Sequence, residues 1–402
     1  MALGTLLLAT LVPLALGRTA AAEKTLPEQA QIIDQKSFAV LETVPPPSEA
    51  NASTIFVWPG VTEDSLTAKP FHIYTDEFYD IIGENPALTL LAEVESDPIF
   101  HEAVVWYPPT DEVFFVQNAG APAAGTGLNK SAIIEKISLA DADAVANGTS
   151  ENVTVTTVNS NPQVINPNGA TYHKGNILYM GEGMGDNIGP SIYLMNPVEP
   201  YNTTVLLNNY FGRQFNALND VGVNPRNKDI YFTDPTYGYV QDFRPAPGLP
   251  NQVYRFNETT GAVTTVADGF VMPNGLTFDP TGEHVYIADT GANMGFFGWN
   301  YSNPSTIYRF DVQEDGTFTN RMTFAYVTAG VPDGVHCDSN GYVYAGCGDG
   351  VHVWNKAGTL IGKIYLGSTT ANFQFAGDGR MVIAAETKLF YATLAAKGAP
   401  LE

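Results

Sequence analysis

The sequence has little of what several common chemistries require. Only two of its 402 residues are cysteine, Cys337 and Cys347. Two thiols and six scattered histidines do not make the paired spacings of a zinc site. The two cysteines flank one expected hairpin with its turn near Ser339-Asn340-Gly341. An oxidising compartment would allow a disulfide, but their unequal distances from that turn keep them from facing each other directly. Basic residues are also scarce, 19 against 42 acidic ones, for a formal net charge of −23. Such a surface repels phosphate backbones and anionic headgroups, so neither nucleic acid nor a membrane is an expected partner. No Gly-x-Ser-x-Gly elbow is present to anchor a serine hydrolase. No phosphate-binding loop or dinucleotide fingerprint occurs. Long amphipathic helices are missing too, and residues 138–147 (SLADADAVAN) form the best short helical candidate.

What is present starts with an apolar run, Leu6 to Leu16, followed by small residues up to Ala22. Residues 1–22 read as a signal peptide, too short for a membrane span. Seven Asn-x-Ser/Thr triplets support secretion and offer glycosylation sites at Asn51, Asn129, Asn147, Asn152, Asn202, Asn257 and Asn300. Residues 23–97 then read as a Pro-rich, irregular lead-in that gains aromatic residues and ends in a strand-like run, ALTLLAEV.

From residue 98 to 402 one pattern recurs six times: a polar residue, an alternating apolar run, a turn, and a second apolar run. The copies begin near Glu102, Asn168, Asn219, Asn274, Asp333 and Asn372. Each copy is followed by a further β pair, as in QVYRFNETTGAVTTVA. Spacings of roughly 40–65 residues suit four-stranded blades with loops of varied length. The pattern predicts an all-β, six-bladed propeller of four-stranded antiparallel blades. The run at 87–94 is placed to join the last blade and close the ring.

In a propeller the innermost strands surround a central channel, so equivalent positions from six copies converge near the axis. Two carboxylates among amide oxygens form a hard-oxygen set, which points to a channel site for Ca²⁺, with Mg²⁺ or Mn²⁺ as alternatives. His101 precedes Glu102 and His336 lies three after Asp333, so strand alternation turns both away from those carboxylates. Two insertions, Leu206–Leu218 and Thr290–Ser305, are rich in Phe, Tyr and Asn and are placed to wall a pocket for a small ligand. Arg213, in the first, is a candidate hydrogen-bond donor to substrate.

MPNGLTFDPTGEHVYIADTG, VPDGVHCDSNGYVYAG and LNDVGVNPRNKDIYFTD resemble the inner strands of the SMP-30/gluconolactonase/paraoxonase-like superfamily, six-bladed propellers with a divalent metal in the channel. FVWPGVTEDS, FHEAVVWYPPT, QNAGAPAAGTGLNKS and NNYFGRQFN make nearly the whole chain similar to the secreted fungal lactonohydrolases, which use calcium on aldonolactones and on aromatic or pantoyl lactones. The resemblance implies metal ligands at Glu102, Asn219, Asn274 and Asp333. The expected reaction is lactone hydrolysis, with Asp333, or else Glu102, accepting the proton of the attacking water. Asn168 and Arg213 are the expected substrate contacts. The alternative is a non-catalytic secreted propeller with a structural calcium and a partner-binding face.

Overall fold

A computed structural model describes residues 24–49, 51 and 53–401. The expected signal peptide lies outside the described residues. Among the described residues six sheets, antiparallel but for one added strand, follow one another around an axis. Blade 1 comprises Glu102–Tyr107, Glu112–Val116, Ile134–Ser138 and Thr156–Val158. Blade 2 comprises Pro167–His173, Asn176–Gly181, Ser191–Met195 and Thr203–Leu207. Blade 3 runs from Val221–Val223 to Ala262–Ala267, and blade 4 from Pro273–Phe278 to Phe318–Tyr326. Blade 5 starts at Val335–Cys337 and reaches Leu360–Tyr365; blade 6 holds Asn372–Phe375, Asp378–Ala385 and Lys388–Lys397. The fourth strand of blade 6 is Ala87–Glu93, paired antiparallel with Lys388–Lys397. The chain therefore staples its N-terminal part to its end.

Alternating apolar residues on both faces of each blade bury themselves at the junctions between blades. Phe114 and Val105 of blade 1 pack with Tyr179 and Ile177 of blade 2. Leu178 and Met180, on the other face of blade 2, pack with Phe232 and Tyr254 of blade 3. The same holds round the ring to Phe115 and Val113, which meet Val382 and Tyr391 of blade 6. Burying large side chains on both faces favours the closed ring at about 1.5–3 kcal/mol per side chain.

In three of the six copies the leading polar residue is followed by glycine (Gly169, Gly275 and Gly334) for a steric reason. A Cβ added at Gly169 would stand 2.3 Å from the Asn219 carbonyl oxygen, and one at Gly275 would stand 2.1 Å from that of Asp333. Adjacent inner strands approach so closely that only glycine fits. Asn274-Gly275 thus opens a strand rather than turning a hairpin.

The short helix was legible: Leu139–Ala146 is α-helical, capped by the Ser138 side chain accepting from the Ala140 amide. The lead-in corrects the expectation of irregular chain. Phe71–Ile73 pairs antiparallel with Leu360–Tyr365, and Ala30–Ile32 adds in parallel beyond it, so blade 5 has six strands. Helices Glu63–Ala68 and Glu77–Ile82 accompany them, the second burying Phe78, Ile81 and Ile82. Strands of three residues are too short to show alternation in the sequence. Both cysteines are free and buried; Cys337 faces Val343, and Cys347 faces Gly350.

Candidate functional site

Glu102, Asn168, Asn219, Asn274 and Asp333 all line one cavity of about 560 Å³ at the axis. They come from five blades and from 231 residues of separation (333 − 102). Glu102 opens the inner strand of blade 1, and Asn168 and Asn274 are the second residues of theirs. Asn219 and Asp333 precede their strands by two residues.

The amide oxygens of Asn168, Asn219 and Asn274 are buried and accept no hydrogen bond. An unpartnered buried acceptor costs about 1–3 kcal/mol, and three in one cavity require an explanation. Burial, then the proximity of the Asp333 carboxylate, holds the Glu102 carboxyl above its ordinary range. Burial raises Asp333 as well, reinforced by Glu386 and Asp220 and opposed by His101. A divalent cation would answer both problems at once, since carboxylates and amide oxygens are its preferred donors. The residues present fit such an ion, with Glu102, Asn219, Asn274 and Asp333 able to hold it.

Asn372 occupies the leading position of blade 6 but has another task. Its Nδ2 donates to Glu102 Oε2 at 2.6 Å, while its Oδ1 accepts from the Phe373 amide and lies 3.0 Å from His336 Nε2. Asn372 orients Glu102. His336 borders a smaller cavity with Asp220, one that Asp333 does not line.

The expectation that His101 faces away from Glu102 is overturned. Both line the axial cavity. Ala103 has a φ of 53°, and the pairing of Glu102–Tyr107 with Glu112–Val116 shifts register between Glu102 and Val105. That bulge breaks alternation and brings adjacent side chains to one side. His101 Nδ1 lies 3.0 and 3.1 Å from the two Glu386 oxygens. Burial works against its charge, but Glu386 outweighs it and pushes the imidazole up to about 9. Glu386 lies in a turn with a φ of 62°, and no sequence motif marked it. Glu182 was also unmarked; it is buried beside Asn168, and burial raises it to about 8.

Of the two insertions, only Thr290–Ser305 walls the cavity, through Asn293, Trp299 and Tyr301. Trp299 and Tyr301 stack with centroids 6.0 Å apart. The other insertion turns to the outside of blade 3. Its Phe215 packs against Phe232 and Tyr254, and Arg213 is exposed in a separate cleft with Arg244 and Gly248. Arg213 is therefore not brought to the other site residues. Ser53 and Ile55 of the lead-in line the same cavity.

Fold and site together define a class: a six-bladed propeller with an oxygen-rich axial cavity. The SMP-30/Gluconolactonase/LRE-like family profile matches residues 143–386, and the chain belongs to that family. It is 29% identical over 321 residues to the lactonohydrolase oryL of Aspergillus oryzae, covering 75% of this chain and 68% of that one. It is 27% identical over 368 residues to lactonohydrolase oryH of the same organism, covering 74% of each. Among solved structures, a gluconolactonase from Xanthomonas campestris superposes with a TM-score of 0.63 at 23% identity, over 81% of this chain and 94% of that one. The calcium-binding protein regucalcin from Agrobacterium tumefaciens gives 0.54 at 15% identity, over 79% and 96%. These two show the shared fold.

Proposed function

We propose that this protein is a secreted, glycosylated lactone hydrolase that uses a divalent cation, calcium by preference, on small sugar-acid or pantoyl-type lactones. The observation that carries the reading is the convergence of two carboxylates and three unpartnered amide oxygens in one axial cavity. The family and the lactonohydrolase relatives support the reaction class. When bound, the cation supplies positive charge beside the ester carbonyl. Asp333 accepts the proton of the attacking water. Glu102, fixed by Asn372, holds its carboxylate toward the ion. Asn168 donates to the substrate through its Nδ2. Trp299, Tyr301 and Ile55 exclude bulk water from the reacting bond. For glycosylation, six of the seven candidate asparagines are exposed. Asn257 is half-buried and its Nδ2 donates to Asp229 at 2.6 Å, which sets it apart.

A pH-stat assay over a lactone panel, with and without chelator, tests the proposal. Base uptake on at least one lactone, lost on chelation and restored by calcium, is the expected result. Calcium-dependent melting with no turnover on any lactone would favour the non-catalytic propeller instead.

A further inference from the structure

A second cavity, of about 920 Å³, lies between the lead-in and the outer part of blade 5. Asn51 and Ile55 belong to both its lining and that of the axial cavity. Three other segments run past both spaces. Gly330 borders the axial cavity and Ala329 the outer one; Gly348 and Asp349 divide the same way, as do Gly367 and Tyr365. The two cavities thus meet along a seam one chain thick, bordered on both sides by Asn51 and Ile55 of the lead-in.

Apolar side chains stand exposed in the lining of the outer cavity, beside the exposed polar residues Gln35, Thr43 and Thr54. Val44, Phe56 and Val57 line it and are 71, 49 and 36% exposed. Phe38 and Trp58 continue the wall, and Phe38 meets Phe56 edge to face with centroids 5.2 Å apart. The charged groups of its floor are already satisfied. Lys363 Nζ lies 2.9 Å and His352 Nε2 2.5 Å from the Asp349 carboxylate. His72 stacks on Tyr365 and has the Leu66 carbonyl 3.1 Å from its Nε2. No charge in that floor calls for a polar ligand. An adjacent apolar hollow with exposed aliphatic and aromatic side chains calls for a hydrocarbon group.

We infer that the outer cavity is a subsite for an apolar substituent on the lactone, an alkyl chain carried on the ring carbon next to the ring oxygen. The inference rests on the lactone-hydrolase reading and narrows its substrate class. The lactone ring sits in the axial cavity, and its chain crosses the seam at Ile55 to lie against Phe56 and Val57. The subsite is built largely by the lead-in, outside the part of the chain that matches the family profile. Catalytic chemistry and chain recognition are therefore assigned to different parts of the sequence.

The test is hydrolysis of γ-butyrolactone and its γ-ethyl, γ-butyl, γ-hexyl and γ-octyl derivatives by the full chain with calcium. Each buried methylene raises kcat/KM by up to about fourfold, so the series climbs with chain length and levels off when the hollow is full. In Phe56→Asp the ratio of kcat/KM for the octyl to the unsubstituted lactone falls at least about tenfold. A partly misfolded preparation lowers both rates and leaves that ratio unchanged. Should Phe56→Asp not fold, Val44→Asp, at a more exposed position, is read by the same ratio. A flat series in the wild type, or a ratio untouched by the substitution, overturns the subsite while leaving the lactonase standing. Absence of hydrolysis on the whole series and on sugar-acid and pantoyl lactones overturns both.

Discussion

Two regions of this molecule bury charge, and they treat it in opposite ways. Beneath the lead-in, Asp349, His352 and Lys363 form a closed set in which each charged group has a partner. Burial works against the Asp349 carboxylate, but His352 and then Lys363 hold it well below its ordinary range; burial works against the Lys363 ammonium too, and Asp349 outweighs it, so the pair stays ionised. At the axis, burial and then the Asp333 carboxylate work against the charge of Glu102, and three amide oxygens in the same cavity have no partner. A paired buried set adds rigidity, whereas an unpaired one is a cost that persists only where a ligand or a reaction uses it. The location of function in this fold follows from which polar groups are left unsatisfied, not from which are buried.

The contrast can be broken most directly at the axis. Asp333→Asn is expected to lower kcat about a thousandfold, with little change in the melting temperature measured without calcium. Wild-type turnover in a folded variant would remove Asp333 from the chemistry. The paired set should respond the other way: Lys363→Met is expected to cost about 3–5 kcal/mol in denaturant unfolding, because Asp349 is left without its ammonium. A variant as stable as wild type would show that the pair carries no net stability.

Acid should find the same region. Burial, with Lys363 and His352 nearby, holds His72 down to about 4, opposed by the Leu66 carbonyl and Asp349. Unfolded, His72 protonates near its ordinary value of 6.5. Between those values the unfolded chain carries the extra proton, so stability falls as pH drops from 6.5 to 4, by about 3 kcal/mol. His72→Gln should flatten that part of the stability profile, and an unchanged slope would assign the acid response elsewhere. Chelation comes next: calcium at a hundred times its Kd should add about 2.7 kcal/mol, lost on adding chelator and absent in Glu102→Gln. Arg213→Ala is expected to have the smallest effect, within about 0.5 kcal/mol and without change in kcat/KM, since its side chain is exposed and remote from the axis.

Much of this contrast was legible in the residues, and the exceptions have physical causes. The six-fold recurrence exposed the blades because each copy repeats an alternating run and a turn. Glu102, Asn168, Asn219, Asn274 and Asp333 could be aligned because each occupies the same place in its copy, and the cavity brings those five together. Asn372 occupies that place too, yet it hydrogen-bonds Glu102; position in a repeat fixes proximity to the axis, not the partner. His101 was misjudged because a single left-handed residue, Ala103, undoes the alternation on which the judgement rested. Arg213 was misplaced because sequence does not say toward which side of a sheet an insertion folds. The two three-residue lead-in strands stayed hidden because such short strands take their conformation from the sheet they join.

The pairing of Ala87–Glu93 with Lys388–Lys397 has a further consequence, for biosynthesis. The first of these segments leaves the ribosome about 300 residues before its partner, and until then its hydrogen-bonding edge has no native mate. The last circular contact is made only when Lys388–Lys397 has emerged. Nascent or prematurely terminated chains therefore expose a sticky β edge, and their fate depends on how long chaperones can shield it.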